Sequence, residues 1–292
     1  MDVIVVINGL GNQMSQYSFY LQKKKSNSES SLITFCKDHN GFELNKVFNI
    51  NYVASFKENF LYILFRILIA EKGGASIKVL KKFLNFFGIK ITRENYNYNF
   101  QEKYLNVSKG INFYLGGWHT EKYFKSVSEK IKMAFIFQIP SDKLNQQIIE
   151  DINTTNSISV HIRRGDFLNK DNINLFGQVC SRAYYEMAIK RIEKKIDNSH
   201  FFVFSNDMDW VKQNLVMKNV SYVNCNTGQN SWKDMYLMTI CKHNIIANST
   251  FSWWGAWLNK NKNKIVICPH RFLNNDTYTD IYPDSWVKIS DY

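Results

Sequence analysis

Arg163 and Arg164 stand together in His161-Ile162-Arg163-Arg164-Gly165-Asp166-Phe167, directly behind the apolar run SISVHI at 157–162. Such a run reads as a strand buried on both faces, so the side chains after it emerge at the strand's C-terminal edge, where open parallel sheets bind ligands. Guanidinium groups are forked, permanently charged donors matched to pyrophosphate oxygens, and they can stabilise the charge left on a departing diphosphate. The same residues can instead close the loop as a surface ion pair, for example Arg164 with Asp166; the tandem alone does not decide between the two.

A second candidate is NIIANSTFSWWGAWL, 244–258, with the same layout of strand, polar turn and helix. Ser249 and Thr250 are favoured N-cap residues, and the amides and positive dipole of a helix start favour a phosphate. The plain alternative is an ordinary cap ahead of a core helix, and Trp253, Trp254 and Trp257 are assigned to packing. In NGLGNQMSQ, 8–16, glycines between a strand and a helix let backbone approach a ligand closely. A Gly-x-Gly without the third glycine of the dinucleotide fingerprint is weak evidence, and Asn12 and Gln13 can equally cap the helix. Asp207-Met208-Asp209 matches the Asp-x-Asp pattern that holds a divalent metal against a pyrophosphate. It falls between the run FFVFS and a helix, where Asn and Asp serve as caps and first-turn residues, so no metal is expected there.

These segments need a scaffold that brings strand ends to one edge. From about Ser157 short apolar runs alternate with helix-periodic segments: strands at 157–162, 201–205, 221–224, 244–248 and 264–268, helices at 183–196, 209–215, 232–242 and 251–260. The pattern predicts a Rossmann-like domain over 151–292. The first 150 residues open with VIVVI, a glycine turn and a helix from about Gln13, then become less regular, and are read as a second α/β domain. The boundary is placed in the polar segment 140–156, and the two domains are expected to face a cleft.

The 292 residues carry a net charge of +12, so anions are the natural partners: nucleotide phosphates, nucleic acid or an acidic bilayer. No nucleic-acid module is recognisable, which makes a nucleic-acid-binding protein the remote alternative. The five cysteines have no close pairs, the N-terminus has no basic leader, and a reducing cytosol is expected. FLYILFRILIA, 60–70, is too short to span a bilayer. With SIKVLKKFLNFFGIK it forms a basic, aromatic stretch over 57–90 that reads either as core-packing helices with solvated lysines or as a surface resting on an anionic membrane.

Taken in order, GLGNQMSQY (9–17), HNGFEL (39–44), GGWHTEKYF (116–124), HIRRGDF (161–167), FVFSND (202–207) and HNIIANSTFSWWGAWL (243–258) resemble the α-1,2-fucosyltransferases of glycosyltransferase family 11 over nearly the whole chain. The resemblance implies a GT-B-like α/β fold of two Rossmann-like domains. It further implies inverting transfer of L-fucose from GDP-β-L-fucose, with no metal or other cofactor, to the 2-hydroxyl of a galactose-containing acceptor. A lipid-linked O-antigen intermediate at the inner membrane is the expected acceptor class; another GDP-deoxyhexose, or another linkage, is the alternative.

By the same resemblance Arg163 binds the pyrophosphate and assists its departure, with His161 and Arg164 beside it. Asp234 meets the guanine or ribose, Ser249, Thr250, Phe251 and Ser252 meet the phosphates and base, and Asn12 reaches the donor from the opposite domain. Glu121 is the first candidate for the base that takes the acceptor's proton, ahead of Asp38 or His39; a salt bridge with Lys122 or a capping role is the competing reading. The chain departs from the family pattern at Ser15 (usually Phe), His119 (Gln), Phe167 (Tyr) and Asn206 (Asp), and His119 is the departure expected to bear on acceptor choice.

Overall fold

The computed structural model describes residues 1–71 and 74–290. The chain divides into two compact units, Met1–Ile136 and Phe137–Tyr292.

In the first unit β1 (Asp2–Val6), α1 (Leu10–Ser26) and β2 (Ser31–Thr34) form the opening βαβ crossover. Four of the five β1 residues are Val or Ile, buried throughout, as expected of a central strand covered on both faces. The short α2 (Leu44–Val47) precedes α3 (Phe56–Ile69) and α4 (Gly74–Phe86), then β3 (Ile89–Arg93), β4 (Ile111–Leu115) and α5 (Ser128–Ala134). The strands pair in the order β2-β1-β4-β3, all parallel. α3 starts on a capping box, with Ser55 as cap and Glu58 reaching back to its amide. Its Leu61, Leu64 and Phe65 enter a core with Val3, Val5, Ile33 and Phe113, whereas α4 contributes only Leu84.

Lys23 departs from what its place in the sequence suggests. In the last turn of α1 a cation normally sits in water beside the helix's negative end. Here it is buried, and its Nζ donates to Tyr104 O (3.0 Å), Asn106 O (2.6 Å) and Tyr114 Oη (3.0 Å) while pairing with Asp2 Oδ2 at 3.1 Å. The ammonium also lies 4.3 Å from the Tyr114 ring centroid. Such saturation is what a buried charge requires.

The second unit comprises α6 (Lys143–Thr154), β5 (Asn156–Ile162), α7 (Ile173–Phe176), α8 (Arg182–Glu193), β6 (Ser199–Ser205), α9 (Met208–Asn214), β7 (Val220–Val223), α10 (Trp232–Ile240), β8 (His243–Ile245), α11 (Thr250–Trp257), β9 (Val266–Pro269) and β10 (Val287–Ile289). The sheet is fully parallel in the order β10-β9-β8-β5-β6-β7. β10, only three residues long, carries no periodicity by which to predict it.

The unit starts at Phe137, earlier than the expected division after residue 150. The polar segment 140–156 is not a linker, because most of it is a helix belonging to the second sheet. Asp142 caps α6 and pairs with Lys233 of α10 at 2.9 Å, and Asn145 exchanges two 2.9 Å hydrogen bonds with Asn226. Phe137 itself stacks on Trp232.

Candidate active site

Because the sheet is parallel, the segments that follow β5, β6, β7 and β8 all leave from one edge. The chain runs outward from β5 through β6 to β7, then returns to add β8 on the other side of β5. The gap between β5 and β8 is therefore the switch point, where the two flanking loops diverge and a ligand can enter. The segments after those two strands fall within the two stretches singled out in the sequence, 161–167 and 244–258.

One hydrogen bond joins them: His161 Nδ1 and Ser252 Oγ lie 2.8 Å apart. Burial, and then the positive charge of Arg163, push the His161 imidazole down to about 3, so it is neutral at physiological pH. Tyr185 Oη donates to the His161 carbonyl at 3.1 Å from α8. Phe251 lies against the imidazole, with ring centroids 5.8 Å apart. Ser249 is the N-cap of α11; its Oγ accepts from the Phe251 amide at 3.3 Å, and Thr250 is the first helical residue. The Asn248 amide donates to Phe176 O and Phe272 O and anchors the turn. Trp253 and Trp254 are buried, consistent with packing.

Each arginine has a carboxylate partner, and the pairing differs from the Arg164–Asp166 pair expected of a closed loop. Arg163 makes the bond to Asp166, through Nε and Nη2 at 2.7 Å each. Arg164 reaches Asp207 Oδ2 at 3.2 Å and lies 3.9 Å over the Trp210 ring. The reason is the turn at Gly165: with Asp166 opening a 3-10 turn, the carboxylate comes back to the residue three before it. Burial raises the Asp166 carboxyl, but the Arg163 fork and the Asn206 amide outweigh it and hold its pKa below the ordinary value. The fork leaves the Nη1 donors of Arg163 for a ligand.

Asn206 organises the loop. Its Oδ1 accepts from the amides of Arg164 (2.9 Å) and Gly165 (3.2 Å), and its Nδ2 donates to Asp166 Oδ1 at 3.2 Å. An aspartate there would have no donor for Asp166, so Asn206 adds a bond to Asp166 that the residue usual in the family could not make. A Cβ on Gly165 would stand 2.9 Å from the Asn206 amide, which is why the loop carries glycine. Asp207 caps α9 by accepting from the Trp210 amide at 3.2 Å, so the Asp-x-Asp segment is occupied by a cap and an ion pair. Among the described residues no three His, Cys, Asp or Glu side chains gather as metal ligands.

Asp234, in the first turn of α10, follows β7 at the same edge. It accepts from Asn226 Nδ2 at 2.8 Å, and burial pushes its carboxyl up to about 7 against the lowering effect of that bond. Asn226 and Asn145, which hold it, carry no recognisable sequence signal.

Asn12 and Glu121 belong to the first unit. Gly9 is the N-cap of α1, which starts at Leu10 rather than Gln13, and Asn12 is half-buried in the first turn. Gln13 is no cap: buried, it donates to Asn8 O (2.7 Å) and Gly41 O (2.8 Å) and accepts from the Glu43 amide (2.8 Å). Gln16 accepts from the Ile7 amide and donates to Gly116 O, both at 2.9 Å. Glu121 opens a short 3-10 turn capped by Thr120 and is half-buried. Two departures from the family pattern meet here: His119 Nδ1 and Ser15 Oγ are 3.2 Å apart, and burial pushes His119 down to about 3. A smaller residue at 15 makes room for an imidazole at 119, which also packs over Gly117, where a Cβ would clash.

An anion-binding strand edge with guanidiniums on one side of the switch point and a hydroxyl-capped helix start on the other suits a donor activated by a diphosphate, and the chain is a glycosyltransferase. It belongs to glycosyl transferase family 11, whose family model matches residues 3–290. It is 34% identical to the alpha-1,2-colitosyltransferase of Escherichia coli, over 99% of each chain. It is 32% identical to the O-antigen biosynthesis glycosyltransferase WbnK of Escherichia coli, over 96% of this chain and 98% of that one. Its fold is like that of a mutant of Arabidopsis thaliana FUT1 in complex with GDP, at a TM-score of 0.50 and 10% identity, covering 95% of this chain and 71% of the other.

Proposed function

We propose that the chain transfers L-fucose from GDP-β-L-fucose to the 2-hydroxyl of a galactoside, with inversion at the anomeric carbon and without a metal. The observation that carries the reading is the switch point itself, where the β5 end that carries Arg163, tied to Asp166, is joined to the Ser249–Ser252 helix start by the His161–Ser252 hydrogen bond. In the reaction the acceptor oxygen bonds to the anomeric carbon as the bond to the β-phosphate oxygen breaks, and the electron pair leaves with GDP. Arg163 neutralises the charge that develops on that diphosphate, and Asp166 fixes the plane of its guanidinium. His161, held neutral, contributes a hydrogen bond without competing for the anion. Glu121 is proposed for the acceptor's proton, and Asn12 for donor binding.

A second reading has one observation behind it: the 34% identical relative is an alpha-1,2-colitosyltransferase, which makes colitose the alternative transferred sugar. Turnover with a panel of GDP-sugars in EDTA separates the readings. Transfer from GDP-fucose to a β-galactoside, with an α-1,2 product by NMR, is the expected result. Transfer only from GDP-colitose would establish the second reading, and dependence on an added divalent cation would remove the metal-free mechanism. An acceptor built on a lipid-linked O-antigen intermediate is proposed on the likeness to WbnK.

Asp234 gives this reading a pH signature. Guanine presents two adjacent N–H donors, which suit an ionised carboxylate and oppose a protonated one. With the free carboxyl near 7, GDP binding is expected to tighten as pH rises from 5.5 to about 7.5, by up to roughly tenfold per unit at the acidic end. Calorimetric titration of wild type and Asp234→Asn checks this: the variant should show a flat profile, and a wild-type profile just as flat would remove Asp234 from base recognition. Stability runs the other way. The folded pKa lies above that of the unfolded chain, so the folded state holds the extra proton and ligand-free stability falls as pH rises from about 4 through 7.

A further inference from the structure

The helices α3 and α4 each carry two apolar faces, of which the core uses one. On α3 the inward face is Leu61, Leu64 and Phe65, yet Phe56, Phe60 and Ile63, spaced four and three apart on another side, are 89%, 52% and 57% exposed. On α4 only Leu84 is buried, while Val79, Phe83 and Phe86 repeat the same spacing at 65%, 57% and 85% exposure. Phe87 extends that stripe, its ring centroid 4.6 Å from Phe83 and 5.4 Å from Phe86. Core packing therefore accounts for one face of this helix pair and leaves a cluster of aromatic rings in water, a cost that globular surfaces avoid unless something covers them.

The charges around the rings say what that is. Residues 56–90 contain seven Lys and Arg against two acidic residues, Glu58 and Glu71. Glu58 is already engaged in the capping box with Ser55. Lys78 and Lys82, four apart and exposed, flank the α4 stripe, and Lys57 is exposed beside Phe56. A second copy of the chain would bring the same excess positive charge against itself in a two-fold contact. An anionic bilayer offers apolar depth for the rings and phosphates for the lysines.

We propose that α3 and α4 form a membrane-docking face that lies in the headgroup layer of an anionic bilayer, with Phe83, Phe86 and Phe87 inserted and Lys78 and Lys82 on lipid phosphates. This goes beyond the transfer reaction and does not depend on which sugar is moved. The test is co-sedimentation of the full chain with phosphatidylcholine vesicles, with and without phosphatidylglycerol. Wild type should pellet with the anionic vesicles and remain in solution with the neutral ones. The Lys78→Glu/Lys82→Glu variant should lose at least about tenfold in partitioning, and Phe83→Ser/Phe86→Ser should lose binding, both with unchanged thermal unfolding and GDP affinity. Failure of wild type to bind anionic vesicles, or variants that bind as wild type does, would overturn the proposal. So would a wild-type dimer that Phe83→Ser/Phe86→Ser dissociates, since the face would then belong to a second copy.

Discussion

Arg163→Ala is expected to lower kcat by about 10³-fold, the size of effect that follows removal of one preorganised donor to a developing oxyanion. The side chain is partly exposed and its partner Asp166 keeps the Asn206 amide, so the melting temperature should change little. Arg163→Lys keeps the charge but cannot offer the planar fork that Asp166 grips through Nε and Nη2, and it should recover only a small part of the rate. Arg164→Ala should be milder, because that guanidinium is engaged by Asp207 and the Trp210 ring. Steady-state kinetics with saturating acceptor would decide it. A large effect on KM alone for Arg163→Ala would mean that Arg163 serves binding and not departure of the diphosphate, and equal kcat losses for the two alanine variants would mean that both guanidiniums share that departure.

Asp2→Ala is expected to be the most damaging change away from the site, at about 3–5 kcal/mol, because it strands the Lys23 ammonium in the interior. Both side chains are almost wholly buried, and the carbonyls of Tyr104 and Asn106 can hydrogen-bond the ammonium but cannot neutralise it. Denaturant unfolding followed by fluorescence checks this, with Lys23→Met in the Asp2→Ala background as the control. If the double variant recovers none of the loss, the cost comes from the missing Asp2 bond to the Ser108 amide and not from a stranded charge.

How much of the fold and site is legible in the sequence follows from how local each signal is. The strands from β5 to β9 are legible because a continuous apolar run between helical patterns arises from little besides a buried parallel strand. β3 and β4 are not, since IKITR and INFYL sit in an irregular, Asn-rich stretch in which β3 pairs with β4 and β4 pairs non-locally with β1. The position of Arg163 and Arg164 at a strand end is legible, but their partners are not: the choice of Asp166 by one and Asp207 by the other depends on the turn at Gly165 and on β6 lying next to β5. Lys23 is illegible for a different reason. A lysine in the last turn of a helix is ordinary on the surface, and only the fold reveals that Asp2 waits beside it.

Gln13 and Gln16 have a consequence for engineering. Each holds separate stretches of backbone, Gly41 and Glu43 in one case and Gly116 in the other, to the start of α1. The loops are thus moored to a common post, and each can be exchanged with that of a relative by preserving one carbonyl or amide at the mooring. Glutamate at either position would be nearly isosteric and still wrong, having no proton for the carbonyls. A chimera library built on this unit should therefore vary the loops freely and keep both glutamines fixed.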